Sequence, residues 1–129
     1  MTQEKTKSFK AGARIITRGE DAHAAYLILK GKVSVHLERD GRMIRLGELG
    51  VGSIFGETAL FCGGTYGAHV NADTDVEVAV ITPESFKGKV ESSDPMVRSM
   101  ELMLIERLRK TNEALLKSET REFMDIALI

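Results

Sequence analysis

Residues 55–72 read Phe55-Gly56-Glu57-Thr58-Ala59-Leu60-Phe61-Cys62-Gly63-Gly64-Thr65-Tyr66-Gly67-Ala68-His69-Val70-Asn71-Ala72. A strand ends at Phe55. Gly56-Glu57 make a tight corner, and residues 58–61 suffice for one short helical turn. Gly63-Gly64 break it, and a new strand starts near Gly67. A short helix set between two strands leaves its first N–H groups without intrahelical acceptors, and such groups attract an anion. Glu57, beside them, is placed to accept hydrogen bonds from a sugar hydroxyl.

Upstream of this corner the pattern is β throughout. Residues 13–17, 25–30, 32–38 and 42–48 are short runs separated by glycine-containing turns. In the third run Val33, Val35 and Leu37 alternate with Lys32, Ser34, His36 and Glu38, as in a half-buried strand. Asp40-Gly41 marks a hairpin, because a type I′ turn needs positive φ at both central residues. Downstream, residues 73–75 turn the chain again, and Val76, Val78 and Val80 form one face of a last strand. Many short strands at near-even spacing imply a barrel or a sandwich.

The character changes at Thr82-Pro83-Glu84, which reads as an N-cap, a proline at the first helical position and an acid in the first turn. A short helix to about residue 90 follows. Ser93-Asp94-Pro95 repeats the signal, with Asp94 as the cap. Residues 95–117 then contain no glycine and no further proline. Val97, Met100, Leu104, Leu108 and Leu115, with Thr111 in line, keep helical spacing. Glu106 with Lys110, and Glu113 with Lys117, are favourable four-apart pairs. Met96, Leu102, Met103 and Ile105 widen the apolar surface beyond one stripe. Such a helix packs on its own barrel and on a second helix, as in a dimer; a broad core-facing stripe is the alternative. The tail 118–129 ends Phe123-Met124-Asp125-Ile126-Ala127-Leu128-Ile129. It extends the helix, folds back as a lid or binds a partner.

The chain has 129 residues, enough for one compact domain and too few for two ordinary ones. We expect a single domain, with the β part over about 9–81, helices over about 83–117 and the tail 118–129. Lys plus Arg number 18 and Asp plus Glu 19, a balance that exerts no general pull on nucleic acid or an anionic membrane. The single cysteine, Cys62, excludes an internal disulfide and suits a reducing compartment. The polar start Met-Thr-Gln-Glu-Lys-Thr-Lys leads into no apolar run, so no signal peptide is expected, and no stretch of about 18 apolar residues exists to span a bilayer. A cytoplasmic protein is the expectation.

The ordered set of these features resembles the cyclic nucleotide-binding domain family, of the catabolite activator and cAMP-dependent kinase regulatory type. The corner is similar to that family's phosphate-binding cassette, Gly-Glu-x-Ala-Leu, a spacer, then Arg, x, Ala and Ser or Thr. Phe9, Gly12, Ile15, Gly19-Glu20, Tyr26-Leu27-Ile28 and Gly31 before Val33 and Val35 fall in the order usual at the start of its β-roll. Residues 46–57 look like the approach to its cassette. Leu108-Arg109-Lys110-Thr111-Asn112 resembles the helical segment that faces the purine base in bacterial catabolite activators. The resemblance covers about residues 9–117. It implies a mainly β fold with C-terminal helices, a double-stranded β-helix or jelly-roll of the β-roll kind closed by a long helix. It also implies a regulatory or sensor domain without enzymatic activity.

By the same resemblance the N–H groups around Thr58, Ala59 and Leu60, with Gly67 and Ala68, would face a cyclic phosphate. Glu57 would hold the ribose 2′-hydroxyl, and Thr111 and Asn112 would reach the base, from the same chain or from a partner subunit. At the family's arginine position stands Tyr66, and at the Ser/Thr position His69. A charge-assisted bond is worth about 1.5–3 kcal/mol. Tyr66 offers one neutral donor instead, and His69, with an ordinary pKa near 6.5, is mostly neutral at pH 7. Arg42 or Arg45 are further candidates to supply charge. The candidate ligand-binding set is therefore Phe55, Gly56, Glu57, Thr58, Ala59, Leu60, Tyr66, Gly67, Ala68, His69, Thr111 and Asn112. Two functions follow: a sensor for cAMP, cGMP or a related phosphorylated nucleotide, or a degenerate, ligand-free roll for dimerisation and protein interaction.

Other chemistries find little support. The histidines at 23, 36 and 69 form no paired metal motif, which argues against a metal-dependent enzyme on a similar roll. One cysteine cannot hold an iron–sulfur cluster, and haem ligation by His or Cys is a remote option. No Ser-His-Asp or paired-carboxylate arrangement, P-loop or dinucleotide fingerprint is present. No cofactor is expected beyond a cyclic nucleotide ligand. Catabolite activators carry a helix-turn-helix after the long helix; only about a dozen residues follow here, so DNA contact by this chain is not expected. Expected partners are a second copy through the helix 95–117 and a downstream protein.

Overall fold

A computed structural model of the chain describes residues 5–116. Lys117 and the tail 118–129 lie outside the described residues, as do the side chains of Asn112, Glu113, Leu115 and Leu116. Eight strands and three helices follow in chain order: β1 (Thr6–Phe9), β2 (Arg14–Ile16), β3 (Ala25–Lys30), β4 (Val33–Arg39), β5 (Arg42–Leu49), β6 (Ile54–Phe55), α1 (Glu57–Cys62), β7 (His69–Ala72), β8 (Val76–Ile81), α2 (Pro83–Ser92) and α3 (Pro95–Leu116). They form two four-stranded sheets, ordered β1-β8-β3-β6 and β2-β7-β4-β5, with antiparallel pairings. The fold is a β-roll with C-terminal helices.

Alternation builds the interior. Val33, Val35 and Leu37 of β4, Val70 and Ala72 of β7, Ile28 of β3, and Val76 and Val78 of β8 enter one core cluster. Val33 and Val78 are wholly enclosed, and burying such a side chain stabilises by about 1.5–3 kcal/mol. Tyr26 stacks on Phe55 at 5.3 Å between ring centres. The hairpin between β4 and β5 turns on Asp40 and Gly41, at φ 53° and 75°, the positive pair a type I′ turn requires.

One strand was illegible. Thr6–Phe9 is polar and exposed except at Phe9, so it carries no apolar alternation, yet it pairs along β8 as an edge strand. The roll therefore begins at Thr6 rather than near Phe9. Both helix starts follow expectation. Thr82 Oγ1 accepts the Ser85 N–H at 3.1 Å while Ser85 Oγ accepts the Thr82 N–H at 3.0 Å, a reciprocal cap. Asp94 Oδ1 accepts the Met96 N–H at 2.9 Å.

The long helix presents the first part of its stripe outward. Val97, Met100 and Leu104 are exposed, whereas Arg98, Glu101, Ile105 and Leu108 are half-buried. The helix thus leans on its own domain with the 98/101/105/108 row, spaced three and four apart, and leaves the 97/100/104 row uncovered. Arg109 Nε donates to the Phe61 carbonyl at 2.8 Å, tying α3 to the end of α1.

Candidate functional site

Glycine makes the corner possible. Gly56 caps α1 at φ 81°, a left-handed conformation that side-chain-bearing residues enter only with strain. A Cβ there would stand 3.2 Å from Ile16 Cδ1 and 3.3 Å from both the Ala24 carbonyl oxygen and Tyr66 Cε1. The short helix is thereby pressed against the wall of the roll. Leu60 N–H closes back on the Gly56 carbonyl at 3.3 Å.

Beneath the corner lies a cavity of about 20 Å³, lined by Ile16, Val35, Phe55, Gly56, Ala59, Tyr66, Gly67, Ala68 and Val70. Six of the twelve expected residues, Phe55, Gly56, Ala59, Tyr66, Gly67 and Ala68, meet here. That volume suits about one water molecule, against about 300–1,000 Å³ for an open ligand pocket. Thr58 is buried in α1, and Leu60 lines a separate groove with Phe61, Phe86, Val90, Leu102 and Ile105 between α1, α2 and α3. Its volume is about 530 Å³.

Glu57, at the first position of α1, is half-buried, and its Oε2 is enclosed without a hydrogen-bond partner. Burial pushes its carboxyl pKa up, opposed by a hydrogen bond from its own main-chain N–H. An enclosed carboxylate oxygen without a donor is costly, and a ligand hydroxyl would satisfy it.

Tyr66 departs from its expected role. Rather than presenting a neutral donor to a ligand, it is buried and its hydroxyl donates to the Ala24 carbonyl at 2.6 Å. The same oxygen accepts the N–H of Ala24 at 3.3 Å and of His23 at 3.4 Å. A buried phenol finds a local partner, and the loop before β3 supplies one. His23 stands edge-on to the ring at 6.3 Å.

His69 is also placed differently. Val70 and Ala72 point into the core, so strand alternation sends His69 and Asn71 to the other face of β7. There His69 Nδ1 accepts the Arg18 N–H at 3.1 Å and lies 3.3 Å from Arg14 Nη1, while Arg14 Nε donates to Asn71 Oδ1 at 3.1 Å. Burial first, then Arg14, hold its pKa low, with Glu38 opposing. His69 cannot supply charge to the cavity. Arg45 is committed on this outer face too, to Glu48 at 2.9 Å and Asp73 at 3.0 Å, where Ser34 Oγ also donates to Asp73 at 2.7 Å. Arg42 is exposed opposite Arg39 at the hairpin end.

Thr111 is exposed on α3 and does not line the cavity. Sequence reasoning missed the Tyr66–Ala24 bond and the Arg109–Phe61 tie; neither leaves a periodic signal. Among the described residues no cluster of three or more His, Cys, Asp and Glu could hold a metal ion. None of their helices is long and apolar enough to cross a membrane.

A family model described as cyclic nucleotide-binding domain matches residues 6–93. The chain is 30% identical over 121 residues to the cAMP-activated global transcriptional regulator CRP of Haemophilus influenzae, covering 92% of this chain and 53% of that protein. It is 42% identical over 55 residues to the cAMP-dependent protein kinase type II regulatory subunit of Drosophila melanogaster, covering 43% of this chain and 15% of that one. Among solved structures, the half-site-occupied form of the EAL enzyme Bd1971 superposes with a TM-score of 0.82 at 33% identity, over 85% of this chain and 99% of the other. The chain thus spans about half the length of the first relative and a small part of the second.

Proposed function

The chain belongs to the cyclic nucleotide-binding domain family, and from that membership we propose that it is a regulatory or sensor domain, not an enzyme, that takes cAMP, cGMP or a related phosphorylated nucleotide at the Gly56–Leu60 corner. Glu57 carries the reading. Its enclosed, unpartnered Oε2 is an acceptor held ready for a ribose hydroxyl, a costly thing to keep in a roll that binds nothing. The site is atypical, because Tyr66 stands where the family's pattern has arginine. Binding then relies on main-chain N–H groups of the corner, Gly67 and Ala68, and is weaker by the missing charge-assisted bond, about tenfold to a hundredfold. The uncovered row on α3 supports assembly with a second copy, which would bring Thr111 and Asn112 to the base. A downstream protein receives the signal, and the single cysteine suits the cytoplasm.

Calorimetric titration with cAMP and with cGMP tests this. Saturable heat is expected with at least one of them; none at about millimolar ligand removes both at useful affinity.

A second reading, a ligand-free module for dimerisation and protein interaction, draws on one observation. The cavity is about 20 Å³ and Tyr66 is already satisfied by Ala24. Stable dimers combined with a silent titration would favour it.

A further inference from the structure

The Tyr66 side chain joins three parts of the molecule. Its ring abuts Gly56, the cap of α1. Its hydroxyl holds Ala24 and His23, the residues entering β3. Its main chain continues the contact, since Tyr66 N–H donates to the Glu20 carbonyl and Gly19 N–H to the Tyr66 carbonyl, both at 3.0 Å. The strap 19–24 is therefore fastened to the arm that follows α1, and the ring of Tyr66 lines the cavity of about 20 Å³ beneath the corner.

We propose that Tyr66 is the gate of the roll: its hydroxyl, bonded to Ala24, holds the ring across the chamber, and a ligand enters only after that bond breaks and the ring withdraws. This rests on reading the roll as the ligand chamber. A ligand that binds only the open form sees an affinity reduced by the open fraction. Tyr66 then sets both the strength and the speed of binding. A side chain of the same shape without the hydroxyl keeps the packing on Gly56 and loosens only the fastening.

Tyr66→Phe is the test, with amide hydrogen exchange and cAMP titration on both proteins. Exchange of the His23 and Ala24 amides is expected to quicken by about tenfold, and cAMP to bind about tenfold more tightly with faster association. Unchanged exchange overturns the gate. So does quicker exchange with equal cAMP affinity, which leaves nucleotide binding standing without it. Quicker exchange with no cAMP or cGMP binding by either protein upholds Tyr66 as the fastening of the chamber and removes the nucleotide as its occupant.

Discussion

The Nδ1 atom of His69 accepts the main-chain N–H of Arg18 at 3.1 Å. A ring nitrogen that accepts carries no proton, so this bond holds the imidazole neutral with its hydrogen on Nε2. Protonation at Nδ1 would break the bond and set a cation beside Arg14, 3.3 Å away. The folded pKa is accordingly lowered from 6.5, by burial first and Arg14 next. With the folded value below the unfolded one, the neutral ring's contribution to stability is complete above about pH 6.5 and is lost as pH falls through the folded value. Thermal melts are expected to give a lower Tm near pH 5 than near pH 7.5, with His69→Gln flattening part of that slope. Identical slopes for the two proteins would exclude His69 as the source.

Glu57 titrates in the opposite sense. Its folded pKa is raised above 4.5 by burial, so the folded state favours the neutral acid. That contribution is present below the unfolded pKa and is lost as pH rises through the folded one. Glu57→Gln should therefore raise Tm at neutral pH and lose the advantage near pH 4. The same substitution should weaken cAMP, since an amide is a poorer acceptor for a ribose hydroxyl. Stabilisation at pH 7 without loss of binding would show that the carboxylate does not touch the ligand.

At Tyr66 the geometry and the chemistry pull together. Replacing it with arginine removes the hydroxyl that holds Ala24 and adds a guanidinium for the phosphate. Tyr66→Arg is expected to bind cAMP about tenfold to a hundredfold more tightly than Tyr66→Phe, the range of a charge-assisted bond. Equal affinity of the two variants would mean that the corner does not present an anion site, and calorimetry decides it.

Gly31 offers a structural prediction that needs no ligand. It sits at φ 89° between β3 and β4, and a Cβ would come within 2.2 Å of the Asp75 carbonyl oxygen and 2.8 Å of Thr74 Oγ1. The first contact is with backbone, which has little room to yield. Left-handed strain alone costs about 1–3 kcal/mol, so Gly31→Ala should destabilise by more than about 2 kcal/mol in denaturant titration. A change below about 0.5 kcal/mol would mean that the loop 73–75 relaxes freely.

The strands that face the core were legible because alternation survives in sequence: Val33, Val35 and Leu37 announce β4, and Asp40-Gly41 its turn. β1 was not, because an edge strand held by backbone pairing needs no apolar face. At the site, the corner and its glycine were legible from residue type alone. The direction of a side chain was harder. His69 falls two residues after Gly67 in a strand, and one residue of register decides whether it enters the cavity or leaves it. Tyr66 reads as a donor, but its buried partner is 42 positions away in the chain, at Ala24, and only the folded molecule brings the two together.

The long helix separates folding from assembly residue by residue. Leu104 is 56% exposed, in line with Val97 and Met100, whereas its neighbour Ile105 is half-buried in the groove against α1 and α2. If the outer row is where a second copy packs, Leu104→Glu should leave the isolated domain within about 0.5 kcal/mol of its original stability, since it touches no core. It should also turn a dimer into a monomer in sedimentation, because a charge would be buried without a partner. Ile105→Ala should do the reverse, costing about 1–2 kcal/mol of domain stability for a partly enclosed aliphatic side chain while leaving association within a few fold. A Leu104→Glu protein that sediments like the original would place the dimer contact, if one forms, on another face of the roll.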